Sequence, residues 1–247
     1  MQVAIVTGAA RGIGHATACE FLARGWAVAL LDIEPARLDD PQALCWECDV
    51  SQPASVAAAV AGVPAHFGRI DALVNNAGIA IFKPLLETTF EDWNQVMAVN
   101  LTGPFLMAQA VAPLMEQGGA MVNVTSISGL RASTLRVAYG TSKAGLAHLT
   151  KQLAAELAPL GIRVNAVAPG PVETAMAKSV HTPEIRADYN NAIPLGRYGT
   201  EEELAQVIVF LCSDQASYVT GQVLAVDGGF ESTGIGLATM RAARRNR

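Results

Sequence analysis

Charge is scarce in this chain: Asp, Glu, Lys and Arg make up 16% of 247 residues, against 51% hydrophobic. A composition this apolar excludes a disordered chain. Positive charge is the scarcer sign, with 17 Lys and Arg against 22 Asp and Glu, for a net charge of −5. Arg241, Arg244, Arg245 and Arg247 place four of those cations in the last seven residues, so the body before them carries −9. No basic field covers such a body, which excludes nucleic acid as a partner. An anionic ligand has to be held instead by backbone donors and a few placed cations.

Cysteine is also sparse, at four residues, which excludes a disulfide scaffold. Cys45-Trp46-Glu47-Cys48 has CxxC spacing, but Ala43–Cys48 reads as a strand, where positions i and i+3 point to opposite faces. Both thiols are therefore expected to be structural, as are Cys19 and Cys212. His15, His66, His148 and His181 show no ligand spacing with one another or with the cysteines, so no metal is expected. Residues 1–10 lack the basic start of a signal peptide, and no window holds 18 uninterrupted apolar residues. The expectation is a cytoplasmic protein with no membrane partner. No linker, repeat or low-complexity block divides the chain, which reads as one domain over 1–247.

What the sequence does have is rhythm. Seven apolar runs of strand length (Gln2–Thr7, Ala27–Asp32, Ala43–Cys48, Ala72–Val74, Ala120–Thr125, Arg163–Ala168 and Gln222–Val226) alternate with helical stretches. The clearest helices are Ile13–Arg24, Pro53–Phe67, Glu91–Met115, Tyr139–Leu160 and Glu201–Ser213, with Ser51 and Thr200 as expected N-caps. Strands apolar at consecutive positions are covered on both faces. The pattern predicts an α/β fold: a doubly wound parallel sheet with helices on both faces and ligands beyond the carboxyl ends of the strands.

Thr7-Gly8-Ala9-Ala10-Arg11-Gly12-Ile13-Gly14 lies between the first strand and the first helix. Glycines there let bare backbone approach a pyrophosphate, whose charge is met by N–H groups and the helix dipole. The spacing departs from G-x-G-x-x-G and lacks the Gly-Lys-Ser/Thr of a P-loop, which disfavours ATP. Asp32 ends strand two, where a carboxylate accepts from adenosine ribose hydroxyls and repels a 2′-phosphate. NAD is thus expected over NADP, although Arg11 and Arg37 are cations able to hold such a phosphate.

Tyr139-Gly140-Thr141-Ser142-Lys143 places a phenol and an ammonium four residues apart on one helical face. Free tyrosine titrates near 10, and lowering that by about three units takes about 4 kcal/mol, which the lysine and a cationic nicotinamide ring are expected to supply. Ser126 follows a strand at the ligand edge and is placed to hydrogen-bond a reacting oxygen, with Ser128 as the competing candidate. Asn100, inside the long helical segment, suits a proton relay to Lys143.

The Thr7–Gly14 turn, Asn75-Asn76-Ala77-Gly78, Asn100, Ser126, Tyr139 with Lys143, and Pro169-Gly170 occur in an order and spacing that resembles the short-chain dehydrogenase/reductase family, from Gln2 to about Phe230. The resemblance implies a Rossmann-type fold that moves a hydride between NAD(P) and a carbonyl or alcohol carbon. It implies Tyr139 as general acid/base, Lys143 as its modulator and ribose ligand, Ser126 as donor to the substrate oxygen and Asn100 as relay. It implies cofactor contacts at Gly8, Arg11, Gly12, Ile13 and Gly14, at Asp32, at Asp49 and Val50, at Asn76, Ala77 and Gly78, and at Pro169, Gly170, Val172 and Thr174. It also implies a dimer or tetramer of identical subunits. The family's helix between Asp32 and Asp49 is expected to shrink to a turn, since Pro35 and Pro41 fall inside. Residues 231–247 extend beyond many members, and Thr233-Gly234-Ile235-Gly236 is rejected as a second nucleotide turn because no strand precedes it.

Glu173–Arg197 corresponds to the family's substrate lid and carries Lys178, His181, Arg186, Tyr189, Asn190 and Asn191. With Arg131 and Arg136 near the same mouth, this polarity points to a small polar secondary alcohol: a polyol, sugar or sugar acid. Ser128, Arg131, Arg136 and His181 are the expected substrate contacts. An NADPH-dependent 3-oxoacyl thioester reductase and a non-catalytic NAD(H)-binding sensor are the alternatives.

Overall fold

The computed structural model describes residues 1–115 and 118–234. In chain order the main elements are β1 (Val3–Thr7), α1 (Gly12–Ala23), β2 (Ala27–Asp32), β3 (Ala43–Glu47), α2 (Pro53–Phe67), β4 (Ala72–Asn75) and α3 (Phe90–Met97). They continue with α4 (Gly103–Val111), β5 (Gly119–Val124), α5 (Val137–Leu157), β6 (Ile162–Pro169), α6 (Ala175–Val180), α7 (Pro183–Ala192), α8 (Glu201–Cys212) and β7 (Val223–Val226). The seven strands form one sheet in the order β3-β2-β1-β4-β5-β6-β7, every neighbouring pair parallel. All seven expected strands are present.

The two-residue alternation of a strand explains why both faces need a cover. Val3 and Ile5 of β1 join Ala27, Ala29, Leu31 and Leu73 in a core beneath α2, α4 and α5. Ala4 and Val6 turn the other way, meeting Val28, Leu30 and Val74 beneath α1 and α8, where Phe21, Ile208 and Val209 fill the layer. Each fully buried Leu, Ile, Val or Phe contributes about 1.5–3 kcal/mol, so the two faces support the sheet together. From β1 the chain builds outward to β2 and β3, then returns to β4 on the other side of β1. The loops after β1 and β4 diverge there, opening a crevice at their carboxyl ends.

Several local readings change. The expected helix Glu91–Met115 is three pieces: α3, a π-helical turn over Ala98–Thr102, and α4 continued by a 3-10 turn. Thr89 starts α3 with a capping box to Asp92. Phe90–Leu114 is long and apolar enough to cross a membrane by length and composition, but Val96, Met107, Ala108 and Val111 are buried within the fold. Ser51 is not the cap of α2; Gln52 holds that position without a side-chain bond, and Ser51 instead donates to Asp49 Oδ1 at 2.7 Å. Thr200 does cap α8, in a box with Glu203. Residues 33–42 form no helix, as the two prolines require. Cys45 is exposed and Cys48 buried, both as free thiols, in keeping with the alternation that separates them. The Arg-rich tail and Ile235 onward lie outside the described residues.

Candidate active site

A cleft of about 410 Å³ crosses the carboxyl ends of the strands. One end is lined by Asp32, Glu34, Asp49 and Val50, the middle by Gly8, Arg11, Gly12 and Ile13, and the other end by Ser126, Ser128, Tyr139 and Lys143. Asn76, Ala77 and Gly78 form one wall, and Pro169, Gly170, Val172 and Thr174 another. Two of the expected residues support the cleft without lining it: Gly14 packs behind the turn, and Asn100 lies behind Gly78.

The first turn is held open by side chains. Gly8 and Gly12 adopt φ of +62° and +65°, a region where Cβ is disfavoured. A Cβ on Gly14 would stand 2.2 Å from the Gly8 carbonyl oxygen. The Asn76 amide donates to the carbonyls of Thr7 (3.1 Å) and Gly8 (2.9 Å), while Thr7 Oγ1 accepts from the backbone N–H groups of Asn76 and Ala77. Asp32 Oδ2 accepts from Ala10 N at 2.9 Å, tying the end of β2 to the same turn. Helix α1 begins at Gly12 with no side-chain cap, although threonines cap α3, α6, α7 and α8. Its first-turn N–H groups therefore stay available at the cleft, with the positive end of the helix dipole behind them. This backbone cradle, with a carboxylate at the strand-two end, fits a dinucleotide.

Arg11 is committed to Glu34, its Nη1 and Nη2 each 2.9 Å from a carboxylate oxygen. Arg37 is exposed and does not line the cleft. Neither cation therefore stands free at the Asp32 end.

At the other end, α5 starts at Val137, two residues before Tyr139. The Ser126 hydroxyl stands close enough to the Tyr139 phenol to lower it and accepts from Ser128 N at 3.1 Å. Lys143 is buried, its Nζ donating to the Val124 carbonyl at 2.8 Å and standing 5.8 Å from the Tyr139 ring centroid. Burial pushes Lys143 down to about 8. Burial also pushes Tyr139 above its usual value, opposed by the neighbouring Ser126 hydroxyl and the Arg136 charge. In the chain by itself desolvation outweighs the lowering by Ser126 and Arg136.

Asn100 is fully buried in the π turn, a feature common at functional sites. Its Oδ1 accepts from Ile79 N at 2.9 Å, and its Nδ2 donates to the Ile79 carbonyl at 2.9 Å and to Ser142 Oγ at 3.0 Å. The side chain thus clamps the loop after β4 to α5, while Lys143 Nζ bonds the Val124 carbonyl.

Of the four expected substrate contacts, Ser128, Arg136 and His181 line the cleft. Arg131 does not; its Nη1 donates to the Phe230 carbonyl at 2.8 Å, and the guanidinium covers the Phe230 ring at 4.6 Å. His181 Nδ1 lies 3.0 Å from the Tyr198 hydroxyl, and its ring stacks on Tyr189. Burial, Arg136 and Arg186 push His181 down, keeping it neutral near pH 7. Arg186 pairs with Glu173. Tyr189 of the expected lid lines this end, as do Ile79, Ala80, Phe82 and Val180, which sequence reasoning missed because apolar residues isolated in loops or in a single-turn helix carry no periodic signal.

A family model described as enoyl-(acyl carrier protein) reductase matches residues 8–231. The chain is 43% identical over 244 residues to the 3-oxoacyl-(acyl-carrier-protein) reductase FabG of Thermotoga maritima, covering 92% of this chain and 97% of the relative. It is 38% identical to the NAD-dependent glycerol dehydrogenase of Listeria innocua, covering 93% of each. Among solved structures, the ligand-free aldohexose dehydrogenase of Thermoplasma acidophilum superposes with a TM-score of 0.89 at 32% identity, covering 94% of this chain and 95% of that one. Similarity across nearly the whole length, on a fold whose strand ends bring Ser126, Tyr139 and Lys143 to one cleft, shows that the chain belongs to the short-chain dehydrogenase/reductase family and is an oxidoreductase acting on CH–OH groups.

Proposed function

We propose that this oxidoreductase moves a hydride between NAD(H) and the carbinol carbon of a small polar secondary alcohol: a polyol, sugar or sugar acid. The observation that carries the cofactor choice is the Arg11–Glu34 pair beside Asp32. It leaves the adenosine end of the cleft acidic, favouring ribose hydroxyls and opposing a 2′-phosphate. Gly8, Gly12, Ile13, Asp32 and the Asn76–Gly78 wall would hold the dinucleotide, which when bound supplies the hydride acceptor.

In the oxidative direction the Tyr139 oxygen takes the alcohol proton while Ser126 holds the same substrate oxygen. Lys143 lies on the next turn of α5 with Nζ 5.8 Å from the Tyr139 ring centroid, where its charge favours the phenolate. Asn100 positions the loop after β4 against α5 and serves as the relay toward Lys143. Residues 173–197, with α6 and α7 joined to the cleft through His181 and Tyr189, act as the substrate lid. Exposed Leu85, Leu86, Phe90, Phe105 and Leu114 support assembly into a dimer or tetramer, and a single domain in the cytoplasm completes this reading.

The similarity to FabG favours a second reading, an NADPH-dependent 3-oxoacyl thioester reductase. Relative kcat/KM for polyols, sugars and sugar acids with NAD, against acyl thioesters with NADPH, separates the two. Preference for NAD with polar alcohols supports the proposal; turnover confined to thioesters with NADPH overturns it.

A further inference from the structure

The charges lining the cleft are segregated. Its carboxylates, Asp32, Glu34 and Asp49, all stand at the adenosine end. Among the described residues, the substrate end, from Ser126 round to His181 and Tyr189, has no carboxylate in its lining but has a guanidinium, that of Arg136. The other cations of the cleft are committed: Arg11 to Glu34 and Lys143 to the Val124 carbonyl. Arg186, Arg197, Arg69, Arg24 and Lys83 elsewhere each pair with a carboxylate. Among the described residues Arg136 makes no ion pair; its one side-chain hydrogen bond runs from Nη1 to Ser128 Oγ at 3.3 Å. In a chain with more acids than bases, an unpaired half-buried arginine facing a cleft is a costly placement unless a ligand completes it.

Arg136 is also held in place. Its guanidinium lies over the Phe82 ring at 5.1 Å, and its backbone forms a parallel bridge with Lys83. The preceding residue, Leu135, is the only non-glycine with positive φ among the described residues, at +63°, and its carbonyl accepts from Lys83 N at 3.2 Å. Such a conformation costs about 1 kcal/mol or more and persists where surrounding structure enforces it. The guanidinium lines the same end of the cleft as Tyr139 and His181, and its field acts on both in the lowering direction. A planar fork with fixed donors matches a carboxylate in two parallel bonds.

We propose that Arg136, with the Ser128 hydroxyl beside it, binds a carboxylate carried by the substrate, making hydroxy acids and their oxo acids the substrate class. This rests on the NAD-dependent alcohol reading above and narrows it from polar alcohols in general to anionic ones. Arg136 is then the residue that determines specificity, and the neutral His181 completes the wall without adding a second charge.

The test compares alcohols that differ only in charge, 3-hydroxybutyrate and its methyl ester, alongside gluconate and glycerol, in wild type, Arg136→Lys and Arg136→Met. Wild type is expected to favour the acids by about tenfold or more in kcat/KM. The acid-to-ester ratio is expected to fall about 100-fold in Arg136→Met, chiefly through KM, with Arg136→Lys between, since lysine offers a point charge without the fork. NADH fluorescence titration of each variant reports whether it has folded. Independently of any variant, butyrate is expected to inhibit the wild type competitively and butyramide not. Wild-type turnover of neutral alcohols with no preference for acids, equal inhibition by butyrate and butyramide, or an unchanged ratio in a folded Arg136→Met overturns the carboxylate site and leaves the alcohol dehydrogenase reading standing. Turnover of acyl thioesters alone with NADPH overturns that reading, and this inference with it.

Discussion

Arg11 and Glu34 face each other across the first and second strand ends, joined by two bonds of 2.9 Å. The pair is exposed, so it adds little stability, but it decides which charge the adenosine end presents. Glu34→Gln should release Arg11 toward the cleft and narrow the NAD-to-NADP ratio of kcat/KM by about tenfold. Measuring both cofactors on the same alcohol checks this, and an unchanged ratio would remove the pair from cofactor selection.

Asn100→Ala should be costly out of proportion to its size. It strips partners from Ile79 N–H, the Ile79 carbonyl and Ser142 Oγ inside the fold. Leaving such groups unsatisfied costs about 2–4 kcal/mol in all. For a chain of this length that lowers Tm by about 5–10 °C, readable by calorimetry, with a loss of kcat because the loop after β4 is no longer fixed to α5.

The two small-residue positions of the first turn should respond differently to alanine. Gly14→Ala places Cβ against the Gly8 carbonyl and the Asn76 amide, at 2.2 and 2.5 Å, and neither can withdraw without breaking the turn. Gly12→Ala meets only the Glu201 side chain at 3.7 Å and carries the cost of a positive φ alone, about 1 kcal/mol. NADH titration should show binding lost in the first variant and weakened in the second.

Strands and the nucleotide turn were legible because their signals are local: consecutive apolar residues, then glycines opening a helix. The π turn was not, since Asn100 is drawn out of the α-helical pattern by partners at Ile79 and Ser142, 21 and 42 residues away. Arg131 and Arg136 looked equivalent in sequence, five residues apart in one loop. Only the fold separates them, by setting Phe230 under one and the cleft beside the other. Glu34 went unnoticed for a similar reason: its meaning depends on Arg11, 23 residues earlier.

Lys143 makes stability depend on pH in a stated window. Folding lowers its value from 10.5 to about 8, so between those limits the unfolded chain binds more protons and stability rises with pH. Below about 8 the buried charge is a full cost of about 3 kcal/mol. The advantage of Lys143→Met over wild type in urea unfolding should therefore shrink by about 2–3 kcal/mol from pH 7 to pH 10. A difference independent of pH would mean that the ammonium is not desolvated.

The central claim is that Tyr139 transfers the proton in a working dehydrogenase, and Tyr139→Phe addresses it most directly. Phenylalanine keeps the ring and removes only the phenol oxygen. Turnover of the best alcohol with NAD should fall by about 1,000-fold or more, while NADH fluorescence titration gives a Kd within about threefold of wild type. Retained turnover in Tyr139→Phe, or no turnover in a wild type that still binds NADH, would contradict the account.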